Sequence, residues 1–84
     1  MIHTYKKITP SFTTNVMSKE LLTLKRLQEY VGGDIQIIAL PDNMLMVVNE
    51  NGLSEDLTHN TIASNIANNF IVGTVLICDM DSID

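Results

Sequence analysis

The chain has no tryptophan, one cysteine, two prolines and, beyond position 26, no lysine or arginine in its 84 residues. Each shortage excludes something. With Cys78 alone, no intramolecular disulfide can form, so the domain must be held by its core rather than by covalent staples. Cys78 lies in an apolar run, where a thiol is expected as a small buried hydrophobe. The longest apolar stretches, Ile35 to Leu40 and Met44 to Val48, fall far short of the roughly 20 residues that cross a bilayer as a helix. No apolar stretch follows Lys6 and Lys7, so no secretory signal is expected and a cytosolic location is the default. His3 and His59 stand far apart with no cysteine or carboxylate at ligand spacing, which leaves no metal site to predict. No serine or threonine sits in a strand-turn-helix elbow beside a base. The chain is therefore expected to be no enzyme and to carry no catalytic residue, metal or cofactor.

What the chain does have is apolar side chain, 45% of its residues, with a mean hydropathy of +0.17. A domain this small buries only about 60% of the surface its unfolded chain exposes. Part of the apolar content is thus expected in an interface, and a homo-oligomer is predicted. Charge is unevenly placed. Lys6, Lys7, Lys19, Lys25 and Arg26 all precede Leu27, and nine of the ten acids follow it, for a net charge of −5. That polarity fits head-to-tail association or a basic partner, and equally an internal balance of a basic helix with acidic loops.

The pattern predicts one α+β domain over residues 1–84, a small mostly antiparallel sheet of 4–5 strands packed on one main helix, with a second short helix. Residues 1–17 read as extended, with Pro10-Ser11 breaking two strand-like stretches into a hairpin. Ser18 is the expected cap of the main helix, Glu20 its first-turn acid, and Leu21, Leu24, Leu27 and Val31 its buried stripe. Gly32-Gly33 ends it. Ile35 to Leu40 and Met44 to Val48 form a hairpin around Pro41-Asp42-Asn43. Both strands are apolar on both faces, so both faces need cover, one of them from the helix. A short helix over Asn60 to Asn68 carries Ile62, Ile66 and Phe70 with Ala63 and Ala67 alongside, and a last strand runs from Ile71 to Cys78. The acidic tail 79–84 is expected to fray. This element order permits a ferredoxin-like topology.

Few residues offer chemistry. Gly32-Gly33 follows a helix, whereas a phosphate loop precedes one. Glu55-Asp56 and Asp79-x-Asp81 fall in loop and tail sequence, where solvated charge is the plain reading. Lys25 and Arg26 share a helix face that Lys6 and Lys7 can approach across a sheet, which makes a small phosphorylated ligand conceivable. The negative, aromatic-poor chain argues against sequence-specific DNA binding. Asn49 and Asn60 flank the loop after the hairpin, and if partly buried they can offer a polar ligand both donor and acceptor; capping and turn-making are the ordinary roles of asparagine. The candidate ligand-binding residues are thus Asn49, Asn60, Lys25 and Arg26.

Several short strings, in order, resemble a known family: Val31-Gly32-Gly33-Asp34-Ile35-Gln36-Ile37, Leu40-Pro41-Asp42, Val47-Val48-Asn49-Glu50-Asn51-Gly52, then Asn60, Ala63 and Ile71-Val72-Gly73-Thr74-Val75-Leu76. They are similar to small domains of unknown function found in bacteriophages, plasmids and conjugative elements, over roughly Leu24 to Met80. The resemblance implies a mobile-element accessory protein in a bacterial cytoplasm and assigns no catalytic or ligand residues. A non-enzymatic binding protein is expected, one that inhibits a host protein or sequesters a small nucleotide-like ligand. The rival expectations are a small nucleotide- or nucleic-acid-processing enzyme and an acidic DNA-mimic inhibitor.

Overall fold

The computed structural model describes residues 2–84. Two hairpins and two short helices arise in the order β1 (His3–Ile8), β2 (Thr13–Ser18), α1 (Leu24–Val31), β3 (Ile35–Ala39), β4 (Met44–Asn49), α2 (Thr61–Ala67) and β5 (Val75–Asp79), followed by a 3-10 turn at Met80–Ser82. The strands form one sheet in the order β2-β1-β5-β4-β3, with every neighbouring pair antiparallel. This is the α+β architecture that the sequence predicts.

Turn chemistry fixes the hairpins. Thr9 organises the first: its Oγ1 accepts from the amides of Ser11 and Phe12 and donates to the Phe12 carbonyl at 3.1 Å. The second turns through Asp42 and Asn43, both at positive φ (63° and 61°), as a two-residue β-hairpin demands and as these two residue types tolerate. Leu45 then faces Ala39, and Val47 faces Ile37.

Successive residues of the central strands alternate between two apolar layers. Val47, Leu76 and Cys78 join Tyr5 beneath α1, where Leu27, Val31 and Leu22 close the layer. Met46, Val48, Val75 and Ile77 join Ile8 on the opposite face, under Ala63 of α2 and Ile71. The sheet is thus covered on both faces from within the chain. The helices lie on opposite faces, and α2 links the adjacent antiparallel strands β4 and β5, so the topology is not the ferredoxin-like one the element order permits.

The main helix begins later than predicted. Ser18 ends β2 and closes a turn of its own, its Oγ accepting from Glu20 N at 3.1 Å. Thr23 caps α1, accepting from Arg26 N at 3.3 Å. Leu21 therefore precedes the helix and Leu24 opens it, and both are exposed; only Leu27 and Val31 of the predicted stripe are buried. Gly32, at φ 82°, ends the helix in the left-handed conformation expected of it. The tail is held rather than frayed. Leu22 N donates to the Ser82 carbonyl and Asp84 N to the Leu22 carbonyl, while Ser82 Oγ donates to Asp79 Oδ1 at 2.8 Å.

Cys78 is fully buried on β5. Burial, followed by the nearby Asp79 carboxylate, pushes its thiol up to about 11 from an ordinary value of 9.0. A group whose pKa is raised on folding contributes full stability below its unfolded pKa and loses it as pH climbs to the folded value. The stability difference between wild type and Cys78→Ala, measured by urea unfolding, should be constant up to about pH 8 and shrink between 9.0 and about 11. A difference that holds flat to pH 11 contradicts this burial.

Candidate functional site

The two asparagines singled out from sequence are structural. Asn60 is wholly buried. Its amide donates to the Ile8 carbonyl at 3.0 Å and to the Gly73 carbonyl at 2.8 Å, and its Oδ1 accepts from Ala63 N at 3.0 Å. Both amide protons are committed to the chain's own backbone. Gly73 reaches this contact at φ 77°, with Leu57 Cδ1 only 2.8 Å from where a Cβ would stand. Asn49 is buried as well and donates to the Val31 carbonyl and to Glu55 Oε2, both at 3.2 Å, while accepting from Asn51 N at 2.8 Å. Its contacts fasten the end of α1 to β4 and to the loop that follows. The polar-ligand role weighed for both residues gives way to capping and clamping.

The four basic residues do not converge. Lys6 faces the α2 side of the sheet, in a cleft of about 400 Å3 whose lining includes Leu40, Pro41, Met44, Ile66 and Ile77. Lys7 and Arg26 meet on the α1 side, where with Glu29 and Tyr30 they line a second cleft of about 330 Å3. Lys25 is exposed and lines neither.

The larger cleft has no counterpart among the residues predicted from sequence. It forms because α2 sets its alanines inward. Ala63 is buried and Ala67 packs against the sheet, while Ile62 and Ile66 are left exposed, Ile66 at 45%. Fourfold spacing identifies the isoleucine stripe, but two adjacent stripes, one large and one small, leave open which faces inward. Phe70 is exposed too, at 59%, and stacks on His59 with ring centroids 4.6 Å apart. Apart from Lys6 and Asp42 the cleft's side chains are uncharged, so it lacks a pair of groups to move a proton.

The α1 side is chemically different. Tyr5 of β1 and Tyr30 of α1 meet edge to face, with centroids 6.0 Å apart. The Lys7 Nζ lies 6.0 Å from the Tyr30 ring centre. Burial, then the neighbouring Tyr30 phenol, raises the Tyr5 pKa, while Tyr30, then Tyr5, holds the Arg26 guanidinium more firmly in its charged form. The Tyr5 hydroxyl is buried without a hydrogen-bond partner.

Elsewhere, His59 Nε2 contacts Ser64 Oγ at 3.2 Å. Among the described residues, no three His, Cys, Asp or Glu side chains gather where they could hold a metal, and no helix is long and apolar enough to cross a membrane.

Residues 6–84 match a family described as a domain of unknown function (DUF3846). The chain belongs to that family. The match takes in β1 and β2, ahead of the Leu24 boundary drawn from sequence, so the first hairpin lies within the DUF3846 region. No curated protein and no solved structure matches the chain.

An unpartnered buried hydroxyl costs about 1–3 kcal/mol. Tyr5→Phe removes the hydroxyl and keeps the ring. The substitution should therefore stabilise the domain by about 1 kcal/mol, a rise in Tm of about 4–8 °C at this size. Destabilisation on thermal melting would show that the hydroxyl has a partner within the folded chain.

Proposed function

We propose that this domain is a non-enzymatic binding protein of a bacteriophage or other mobile element. It acts in the bacterial cytoplasm by stoichiometric association with a protein partner through the α2 face. The observation that carries this reading is the open apolar cleft beside α2, with Ile66 in its wall and Ile62 one turn away on the same exposed stripe. Exposed apolar surface around a cleft is characteristic of interaction sites. The mobile-element setting rests on the family resemblance.

Self-association is supported by a separate feature. The outer edge of the sheet is β3, Ile35–Ala39. It carries no charge and no proline, and Ile37 is 47% exposed. Edge strands that stay single are ordinarily guarded by such residues, so pairing of β3 with β3 of a second copy is the second part of the proposal. Sequestration of a nucleotide by Lys6, Lys7, Lys25 and Arg26 acting together loses support, since the four divide between two faces.

Native mass spectrometry of the full chain recovered from host cells tests both parts. The expected spectrum contains a homo-oligomer that Ile37→Lys converts to monomer. It also contains a complex with a second protein that Ile66→Asp removes. Exposed substitutions of this kind change stability by about 0.5 kcal/mol, so loss of a complex will not reflect unfolding. A bare monomer contradicts the proposal. So does turnover of a nucleotide, in the presence of divalent metal, that a single carboxylate or histidine substitution abolishes.

A further inference from the structure

Among the described residues, the Tyr5 hydroxyl is the one buried side-chain oxygen or nitrogen without a partner, on a residue only 2% exposed. Buried polar groups are satisfied in nearly every case, and an exception calls for an account. Tyr5 packs edge-on against Tyr30, which together with Lys7, Arg26 and Glu29 lines the 330 Å3 cleft on the α1 face. Neither Lys7 nor Arg26 has a carboxylate within ion-pair distance among the described residues. Two unpaired cations, an exposed phenol and an orphaned phenol therefore occupy one corner of the fold, and all four are hydrogen-bond donors.

We propose that this corner binds the phosphate group of a phosphate monoester. Arg26 and Lys7 are its charged donors, Tyr30 a phenolic donor, and the Tyr5 hydroxyl a donor that the bound oxyanion satisfies. The site lies across the sheet from the apolar cleft, so it is independent of the protein-binding face. A guanidinium offers two parallel N–H groups to an oxyanion and an ammonium adds a point charge. A phosphate spreads three oxygens over donors arriving from β1 and α1, which a planar carboxylate matches less well. Glu29 is the one acid in the lining. It reduces the local charge and offers an acceptor to a ligand hydroxyl beside the phosphate.

The test is an NMR titration of the full chain with inorganic phosphate and with phenyl phosphate, following the Arg26 Nε–Hε and tyrosine ring signals. Sodium acetate at matched ionic strength serves as the control. Both phosphates should give saturable shifts and acetate none. Arg26→Gln should weaken binding about tenfold or more, the loss of a charge-assisted hydrogen bond. Lys25→Gln, outside the cleft, should leave it unchanged, and Glu29→Gln should strengthen it. The thermal advantage of Tyr5→Phe over wild type should shrink as phosphate is added, because the wild-type hydroxyl then has a partner. Equal shifts with acetate, equal weakening by Lys25→Gln and Arg26→Gln, or a Tyr5→Phe advantage indifferent to phosphate would each overturn the proposal. Glu29→Gln and Tyr5→Phe decide between these outcomes even if Arg26→Gln does not fold.

Discussion

One carboxamide ties this small fold together. Asn60 caps α2 through its oxygen and, through its two amide protons, holds the last residue of β1 and the approach to β5. Its own backbone N–H donates to the Ile71 carbonyl at 2.9 Å. Three segments distant in sequence therefore meet at one side chain that water does not reach. In a low-dielectric interior such contacts are costly to leave half-made, because each stranded backbone group bears its full desolvation penalty. With α2 anchored there and led out by Gly73, its small residues lie against the sheet and its isoleucines face outward. The apolar cleft is a consequence of that anchoring.

The sheet then separates two kinds of surface. On the α2 face the accessible groups are aliphatic, suited to a partner that excludes water over an area. On the α1 face they are cations and phenols, suited to an oxyanion. A net charge of −5 would discourage anions at long range, but solvent ions screen charges about 10 Å apart. Local placement therefore decides, and Lys7 and Arg26 are placed together. The early clustering of basic residues in the chain becomes a structural grouping only for this pair, because alternation along β1 sends Lys6 and Lys7 to opposite faces.

Much of the architecture is legible in the sequence, and the reasons are local. Gly32 after a helical stripe, Asp42-Asn43 between two apolar runs, and Pro10-Ser11 between two β-branched stretches each act within a few residues, so pattern alone places them. Where tertiary contacts choose between local options, pattern misleads. Ser18 and Thr23 are both sound caps; pairing of β2 with β1 extends to Ser18 and leaves Thr23 the role. The acidic tail reads as free because its docking depends on backbone bonds to Leu22, which side-chain charge does not report. The apolar excess points to an uncovered sheet face, yet α2 and Ile71 cover it from within the chain. Asn49 and Asn60 stand out for their chemistry, but burial, which turns an amide from a ligand group into a clamp, is not visible in composition. Tyr5 does not stand out at all, since nothing in a sequence marks a hydroxyl that will lack a partner.

The claim that Asn60 anchors α2 is tested most directly by hydrogen exchange on Asn60→Ala, read together with its urea unfolding. Loss of the cap and of both carbonyl contacts should remove about 3 kcal/mol of stability and bring the α2 amides into fast exchange well before those of β1 and β5. A variant within about 0.5 kcal/mol of wild type, with α2 as protected as the strands, would contradict the account.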